Sequence, residues 1–173
     1  QLDFCLNLGG ISNISMEYEG KRIAFDTSPF NLLLNAEAAK LGLAYDAGGE
    51  IARGGRVDPS LLEALNALPF YQKSQAKSLG REDMEQVFSP LIGSFGLNPA
   101  DTMATLAEHY AIQIAKVIQQ FRNQSEPSVL ITGGGAYHTY FIERLDSQLN
   151  SDLEKFNASA ELIEFKEALI FAF

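Results

Sequence analysis

The segment LITGGGAYH, residues 130–138, decides the fold, because an apolar run of strand length ends there in three successive glycines. A similar break lies near the start of the chain, in CLNLGGISN, residues 5–13. Glycine loses more conformational freedom on folding than any other residue, so two strand-like runs that end in bare backbone need a physical reason.

Gly133, Gly134 and Gly135 match neither of the two common phosphate-binding motifs. No Gly-Lys-Ser/Thr follows them, and His138 stands where the dinucleotide fingerprint has its last glycine. Backbone without Cβ atoms still allows a flat or charged ligand to approach closely, and free amides at a helix start favour an anion. A tight strand-to-helix turn explains the same glycines, so both interpretations stay open.

Gly9 and Gly10 lie between two strands that we expect to be antiparallel, with Asn7 before them and Asn13 after them. A hairpin that requires positive φ accounts for these glycines without a ligand. Exposed amides in a glycine hairpin also form an anion-binding concavity, to which the Asn side chains can add donors. The significance of this second break is that both are expected on one sheet.

The pattern of apolar residues predicts a mixed α/β domain. LDFCLNL, NISMEYEG and EGKRIAFD read as three antiparallel strands, and the last two are joined by a turn at Glu19-Gly20. Residues 45–57 are predicted to be a loop. A helix capped by Asp58 follows, and the spacing predicts a long helix from Pro99 to Arg122, capped by Asn98.

The last third of the chain is predicted to alternate between strand and helix. The continuous apolar run before the three glycines favours a buried, parallel strand. The expected elements are a strand in PSVLITGGG, a helix in YHTYFIERLDSQL, a strand in AELIEF and a helix start in KEALIFAF. Three meander strands followed by alternating helix and strand predict a mixed five-stranded sheet with helices on both faces.

Composition excludes several classes of function. The chain has 173 residues and a net charge of -9, and its 13 Lys and Arg residues do not cluster, so nucleic acid is an unexpected partner. No apolar run reaches membrane-spanning length, and no signal peptide is visible. The single cysteine, Cys5, excludes an internal disulfide, and a reducing cytoplasm fits. Both chain ends lie within apolar segments, so we expect them to be cuts in a longer protein.

Seven segments in order resemble the anhydro-N-acetylmuramic acid kinase family, within the sugar kinase, Hsp70 and actin superfamily. They span nearly the whole chain: LNLGGISNIS, FDTSPFNLLLNA, YDAGGEIARGG, KSLGRE, TLAEHYA, LITGGGAYH and EALIFAF. The resemblance implies a ribonuclease H-like (actin-like ATPase) domain. It also implies that the family's reaction is the ATP- and Mg²⁺-dependent hydrolysis and phosphorylation of 1,6-anhydro-N-acetylmuramic acid to N-acetylmuramic acid 6-phosphate, a step of peptidoglycan recycling.

The resemblance also implies roles for particular residues. The hairpin at Gly9 is similar to the superfamily's second phosphate loop, and the turn at Gly134 is similar to its adenosine loop. Glu108, in TLAEHYA, resembles the family's sugar-contacting glutamate and is expected near the rim of a cleft. The nucleotide-binding candidates are Asn7, Gly9, Gly10, Asn13, Gly133, Gly134 and Gly135.

Asp26, Thr27 and Asn31 match a family pattern that usually reads D-T-G-P-G-N, and they are candidates for positioning phosphate or magnesium-bound water. Ser28 and Phe30 stand where the family has glycine, which puts close backbone contact there in doubt. Asp26 can equally be a cap at the entry to a helix. Asp46, Gly49 and the run from Lys77 to Glu82 mark the family without indicating a role.

Residues 1–173 are therefore expected to be the C-terminal domain of a two-domain enzyme, with a helical insertion at about 45–98. The family's first phosphate loop, of the G-T-S-x-D-G kind, and its catalytic aspartate have no counterpart in this sequence, so the chain alone is expected to be inactive. His109 is predicted to lie on the helix surface, and His138 to be polar filler in a first helical turn. The sequence leaves a homodimer open, and the alternative function is a non-catalytic, Hsp70-like nucleotide-binding module.

Overall fold

The computed structural model describes residues 2–73, 77–123 and 127–150, and the backbone alone of residues 154–157. In this part of the chain, the strands form one mixed sheet with the order β3-β2-β1-β4-β5. The strands are β1 (Phe4–Leu8), β2 (Ile11–Tyr18), β3 (Lys21–Pro29), β4 (Ser128–Thr132) and β5 (Glu154–Asn157).

The first three strands form an antiparallel meander, whereas β4 pairs parallel with both β1 and β5. Glu19 and Gly20 both have positive φ, 51° and 72°, as a two-residue hairpin turn requires. The predicted α/β class with a mixed sheet is confirmed.

The strand at the β5 edge was not predicted where it occurs. Residues 154–157 pair with β4, whereas the sequence favoured a strand in AELIEF, residues 160–165. That segment and the predicted helix start at 166–173 lie outside the described residues. The segment EKFN contains one apolar residue, Phe156, in four positions, so it has no period-2 pattern that could identify a strand.

Two of the helices begin at the caps that the sequence predicts. The Asp58 carboxylate accepts a hydrogen bond from the amide of Leu61, and the Asn98 side chain accepts one from the amide of Asp101. The helices are α1 (Asn31–Ala39), α2 (Glu50–Gly54), α3 (Pro59–Asn66), α4 (Arg81–Asp83), α5 (Ser89–Ser94), α6 (Pro99–Phe121) and α7 (Thr139–Gln148). Short 3₁₀ turns cover Ala47–Gly49, Pro69–Gln72 and Gly134–Tyr137, and Met84–Phe88 is π-helical.

The prediction that residues 45–57 form a loop was wrong in part, because this segment contains α2. The Asp46 carboxylate accepts hydrogen bonds from the amides of Ile51 and Ala52, both at 2.9 Å, and so satisfies donors that begin the helix. The four glycines of the segment obscure this cap in the sequence.

The hydrophobic core joins the sheet to α6, the longest helix. Leu6 and Ile14 of the sheet and Tyr110, Ile114 and Ile118 of the helix are each fully buried. This burial is the main stabilising contribution to a domain of this size. The long helix that the spacing predicts from Pro99 is therefore confirmed, and it ends at Phe121.

His109 is fully buried, which corrects its predicted position on the helix surface. The opposite face of α6 is covered by α3 and by the turn at Pro69–Gln72, which supply polar partners. His109 Nδ1 lies 2.8 Å from Asn66 Oδ1, and Nε2 lies 2.8 Å from the Tyr71 hydroxyl. A periodicity analysis misses such a position, because the second buried face of the helix is polar.

Candidate functional site

The two glycine breaks lie side by side, as the sequence predicts. Strands β1 and β4 are parallel, with Asn7 opposite Thr132, so the residues that follow both strands leave the same edge of the sheet. Gly133 has φ 85°, and a Cβ there would lie 2.7 Å from the carbonyl oxygen of Leu8. A side chain at position 133 would therefore be both strained and obstructed.

The three glycines of the second break have different surroundings. A Cβ on Gly135 would lie 2.4 Å from Cε1 of Phe30 and 2.6 Å from Cβ of Leu8, so only glycine fits there. A Cβ on Gly134 would meet only Asn31 Nδ2, at 3.8 Å, and Gly134 is exposed. Gly133 and Gly135 thus shape the turn, and Gly134 is the glycine that remains accessible.

The hairpin at Gly9 and Gly10 holds the start of α1. The carbonyl oxygen of Gly10 accepts hydrogen bonds from the amides of Phe30 and Leu32, and the carbonyl oxygen of Gly9 accepts one from the amide of Asn31. These carbonyl groups satisfy amides that a helix start leaves without partners. The Gly10 backbone is otherwise exposed.

Asn7 and Asn13 have partners on neighbouring strands. Thr132 Oγ1 donates to Asn7 Oδ1 at 3.4 Å, which links the side chains that precede the two glycine breaks. Asn13 Nδ2 donates to Asp26 Oδ1 at 3.2 Å. Asn7 and Asn13 therefore stabilise the strand ends on either side of the hairpin.

Asp26 connects the sheet to the start of the Lys77–Glu82 run. Its Oδ2 accepts hydrogen bonds from the amide of Leu79 at 2.8 Å and from the Ser78 hydroxyl at 3.1 Å, and its own amide donates to the carbonyl oxygen of Lys77. With the bond from Asn13, both carboxylate oxygens are engaged. The start of the Lys77–Glu82 run thus has a structural role, which is to bind the Asp26 carboxylate and amide.

Thr27 belongs to a buried cluster of hydroxyl groups at a β-bulge. The register of β2 and β3 shifts between Ser12 and Asn13, which leaves Thr27 as the extra residue of β3. Ser12 Oγ lies 2.7 Å from Thr27 Oγ1 and 2.8 Å from Ser28 Oγ. All three hydroxyl-bearing residues are fully buried, so Thr27 faces the interior of the protein.

A cavity of about 370 Å³ opens beside the accessible glycine. Bare backbone forms one wall, and the side chains of α1 and of the Asp46 loop form the others. Two tyrosines at its mouth, Tyr45 and Tyr137, are 64% and 56% exposed. The lining residues are Asn31, Leu34, Asn35, Tyr45, Asp46, Gly48, Gly134, Gly135, Tyr137 and His138. Amide, aromatic and apolar groups around bare backbone suit a flat ligand of mixed polarity.

Of the predicted site residues, Asn31, Gly134 and Gly135 line this cavity, and the other candidates do not. Sequence reasoning missed Asn35, Tyr45 and Tyr137 as lining residues. Asn31 and Asn35 lie four positions apart and so share one face of α1. That spacing could have identified Asn35 as a lining residue, whereas no sequence pattern points to the two exposed tyrosines.

His138 and Asp46 face each other in the wall of the cavity. His138 Nδ1 accepts a hydrogen bond from the amide of Phe141 and so caps α7, which corrects its predicted role as polar filler. His138 Nε2 lies 4.0 Å from Asp46 Oδ2. Burial lowers the pKa of His138, and the nearby Asp46 carboxylate partly opposes this. The ring of His138 also requires glycine at position 49, since a Cβ there would lie 2.2 Å from His138 Cε1.

Glu108 lies between α6 and α7 and is only 7% exposed. Its Oε2 accepts a hydrogen bond from Arg144 Nε at 2.5 Å, and its Oε1 accepts one from Gln148 Nε2 at 2.6 Å. The Glu108 carboxylate raises the pKa of Arg144. Glu108 was expected near the rim of a cleft, but it does not line the cavity beside Gly134.

Within residues 2–73, 77–123 and 127–150, no group of three or more His, Cys, Asp or Glu side chains could hold a metal ion. In the same part of the chain, no helix is both long and apolar enough to cross a membrane.

Comparison with known proteins identifies the family of the chain. The family model for anhydro-N-acetylmuramic acid kinase matches residues 1–173. The chain belongs to the anhydro-N-acetylmuramic acid kinase family. A family member from Ruegeria sp. strain TM1040 is 35% identical over 178 residues, and one from Vibrio vulnificus strain YJ016 is 33% identical over 172 residues. These alignments cover 97% and 96% of the chain but 46% of each relative, so the chain spans about half the length of these kinases.

Two solved structures share the fold. Component A of (R)-2-hydroxyglutaryl-CoA dehydratase from Acidaminococcus fermentans matches with a TM-score of 0.56 and 16% identity, over 98% of this chain and 59% of that one. The activator of 2-hydroxyisocaproyl-CoA dehydratase from Clostridium difficile, with bound ADPNP, matches with a TM-score of 0.51 and 12% identity, over 99% and 63%. At these identities the likeness concerns the fold alone.

Proposed function

We propose that the chain is the nucleotide- and sugar-binding C-terminal domain of a cytoplasmic kinase that uses ATP to hydrolyse and phosphorylate 1,6-anhydro-N-acetylmuramic acid. The product is N-acetylmuramic acid 6-phosphate, and the reaction serves peptidoglycan recycling. The observation that carries the proposal is the contact of Gly133 with Leu8, which brings the two glycine breaks to one edge of the sheet. Membership of the kinase family supports the same assignment.

The adenosine of ATP is proposed to occupy the cavity beside Gly134, where bare backbone allows a flat base to approach closely. The phosphates extend towards the hairpin at Gly9 and Gly10. The carbonyl groups of this hairpin are bound to α1, so its amides are the groups left to meet an anion. Asn7 and Asn13 hold the strands that carry this hairpin.

Mg²⁺ is proposed to arrive with the ATP phosphates, since magnesium keeps several waters and needs only one or two protein carboxylates. Asp26 fits an indirect role, because both of its oxygens already accept hydrogen bonds and can orient a magnesium-bound water. Asn31, whose side chain lines the cavity, is placed to contact the nucleotide. The buried Thr27 would act by fixing the β3 bulge beneath Asp26.

Glu108 is proposed to contact the sugar, as the family resemblance implies. Each carboxylate oxygen can accept two hydrogen bonds and accepts one from the protein, so a sugar hydroxyl would share an oxygen with Arg144 or Gln148. The water-activating aspartate of the family has no counterpart among residues 1–173. The chain alone is therefore proposed to give no turnover with ATP, Mg²⁺ and the anhydro sugar, and measurable turnover would contradict this.

The test compares two glycine substitutions. A side chain at Gly134 would project into the cavity with little obstruction, so Gly134→Val should fold and block the base. Gly93→Val is the matched control, because a Cβ on Gly93 has nothing within 4 Å and Gly93 lies outside the cavity. Titration with a fluorescent ATP analogue should show about a tenfold loss of affinity for Gly134→Val alone. Equal affinity of the two variants would refute the nucleotide site.

The alternative, a non-catalytic and Hsp70-like nucleotide-binding module, would use the same glycine loops and no sugar. The family match favours the kinase. Calorimetric titration of the anhydro sugar, in the presence of a non-hydrolysable ATP analogue, separates the two. Sugar binding supports the kinase, and nucleotide binding without sugar binding supports the module.

A further inference from the structure

A second cavity, of about 240 Å³, shares no residue with the proposed ATP site. It lies between the C-terminal half of α6, strand β3 and the turn at Pro69–Gln72. Its lining residues are Phe25, Tyr71, Gln72, Lys73, Lys77, Gln113, Lys116, Val117, Gln120 and Phe121. Among the described residues, the lining has three lysines and no carboxylate, although the net charge of the chain is -9. The cavity is thus locally cationic, although the protein as a whole is anionic.

Lys77 is the unusual member of this cavity, because it is only 7% exposed. Its Nζ lies 4.9 Å from the ring centre of Phe70, 5.6 Å from that of Tyr71 and 6.0 Å from that of Phe25. Within the described part of the chain, no Asp or Glu forms an ion pair with it. Burial lowers the pKa of Lys77. The aromatic rings offset part of the cost of burying the ammonium group, and an anion would offset more.

A hydrogen-bond network with a defined donor and acceptor at each step forms the wall behind Lys77. Asn66 Oδ1 accepts hydrogen bonds from Gln113 Nε2 at 2.7 Å and, since an amide oxygen only accepts, from His109 Nδ1 at 2.8 Å. His109 Nε2 is then the acceptor, and the Tyr71 hydroxyl donates to it at 2.8 Å. This network holds Tyr71 and Gln113 in place without a ligand, as a preorganised site requires.

We propose that this cavity, which we call the lysine pocket, binds the carboxylate or phosphate group of a small molecule. The buried ammonium of Lys77 meets the anion from inside, and the exposed Lys73 and Lys116 meet it from the mouth. A volume of about 240 Å³ suits a single anionic group with a short carbon skeleton, and it is smaller than the usual site for a drug-sized ligand. The lysine pocket is a ligand site additional to the proposed ATP and sugar sites.

The experiment titrates the protein with inorganic phosphate and, separately, with succinate, at constant ionic strength in chloride. Amide ¹H–¹⁵N spectra report which residues respond. We expect saturable shifts at Lys77, Gln113 and Lys116. The anion that binds with the higher affinity identifies the ligand class as phosphate or carboxylate. Shifts that are linear in concentration, or spread over surface lysines, would overturn the proposal.

Two variants and one control complete the experiment. Lys77→Met keeps an apolar side chain among the aromatic rings, and it should lower the affinity for the more tightly bound anion about tenfold. Lys116→Met changes only an exposed residue, so it decides the question if Lys77→Met does not fold. Lys21→Met removes an exposed lysine elsewhere on β3 and should bind like the unmodified protein. Equal affinities for Lys116→Met and Lys21→Met would overturn the proposal, as would shifts of the same amides by an acidic peptide but not by either small anion.

Discussion

Gly135 lies directly against the ring of Phe30, where a Cβ would be 2.4 Å from Cε1. Phe30 replaces a glycine of the family pattern, and its ring packs against Tyr110 and Phe141 with ring centres 5.3 Å and 4.8 Å apart. The Phe30 side chain therefore packs in the core and does not fill the space around the loop. The space for the Phe30 ring depends on the absence of a side chain at position 135.

Gly135→Ala should consequently destabilise the protein by about 1–3 kcal/mol, because the added methyl group overpacks the contact with Phe30. Gly134→Ala is the matched control and should change the free energy of unfolding little, since a Cβ there meets only Asn31 Nδ2 at 3.8 Å. Urea denaturation measures both. A stable Gly135→Ala variant would show that the ring of Phe30 can move aside.

Glu108→Gln should also lower the free energy of unfolding, by about 1–3 kcal/mol, because the partly buried hydrogen bonds from Arg144 and Gln148 lose a charged acceptor. Glu143→Gln, on the same helix, is the comparison. Glu143 pairs with Arg53 in solvent, so its substitution should change stability little. If Glu108→Gln lowers sugar affinity without any loss of stability, Glu108 acts on the sugar alone.

Stability should fall as the pH is lowered, and His109 should account for much of this. Burial lowers the pKa of His109 from 6.5 to about 3, with a smaller effect of Lys116. The unfolded chain therefore takes up a proton at a higher pH than the folded chain, so this contribution is complete above pH 6.5 and is lost progressively towards about pH 3.

From this difference, the free energy of unfolding should drop by about 2 kcal/mol between about pH 7.5 and about pH 5. His109→Gln should show a correspondingly shallower dependence in urea denaturation at the two pH values. A variant with the same pH dependence as the unmodified protein would assign the effect to other groups.

Asp26→Asn should release the segment that follows Lys77, because the Asp26 carboxylate accepts hydrogen bonds from the Leu79 amide and the Ser78 hydroxyl. Hydrogen exchange at the Leu79 amide should accelerate about tenfold. Ser78→Ala removes only one of these bonds and should accelerate it less. Equal rates in all three proteins would mean that other contacts hold the segment.

Local signals were sufficient for much of the fold. The caps Asn98 and Asp58 and the positive-φ turn at Glu19-Gly20 were predicted because each depends on residues adjacent in sequence. The prediction that both glycine breaks lie on one sheet came from the strand-like apolar runs that precede them. The burial of His109 was not predicted, because its partners Asn66 and Tyr71 lie 43 and 38 positions away.

The candidate site shows the same division. The glycines were identifiable because bare backbone has few uses, and Gly134 is the accessible one. Glu108 was identified by resemblance, but its contact with Arg144 depends on how α6 packs against α7. The lysine pocket had no sequence signal, since Lys73 and Lys116 are far apart along the chain.

Hydrogen bonds join the start of α1 to the carbonyl groups of Gly9 and Gly10, so we expect the hairpin and this helix to move together. Asn31 and Leu34 of α1 line the cavity, so a molecule whose anionic end pulls on the hairpin would also displace the wall beside its other end. Binding of the anionic end at the hairpin would then be coupled through α1 to binding of the other end in the cavity.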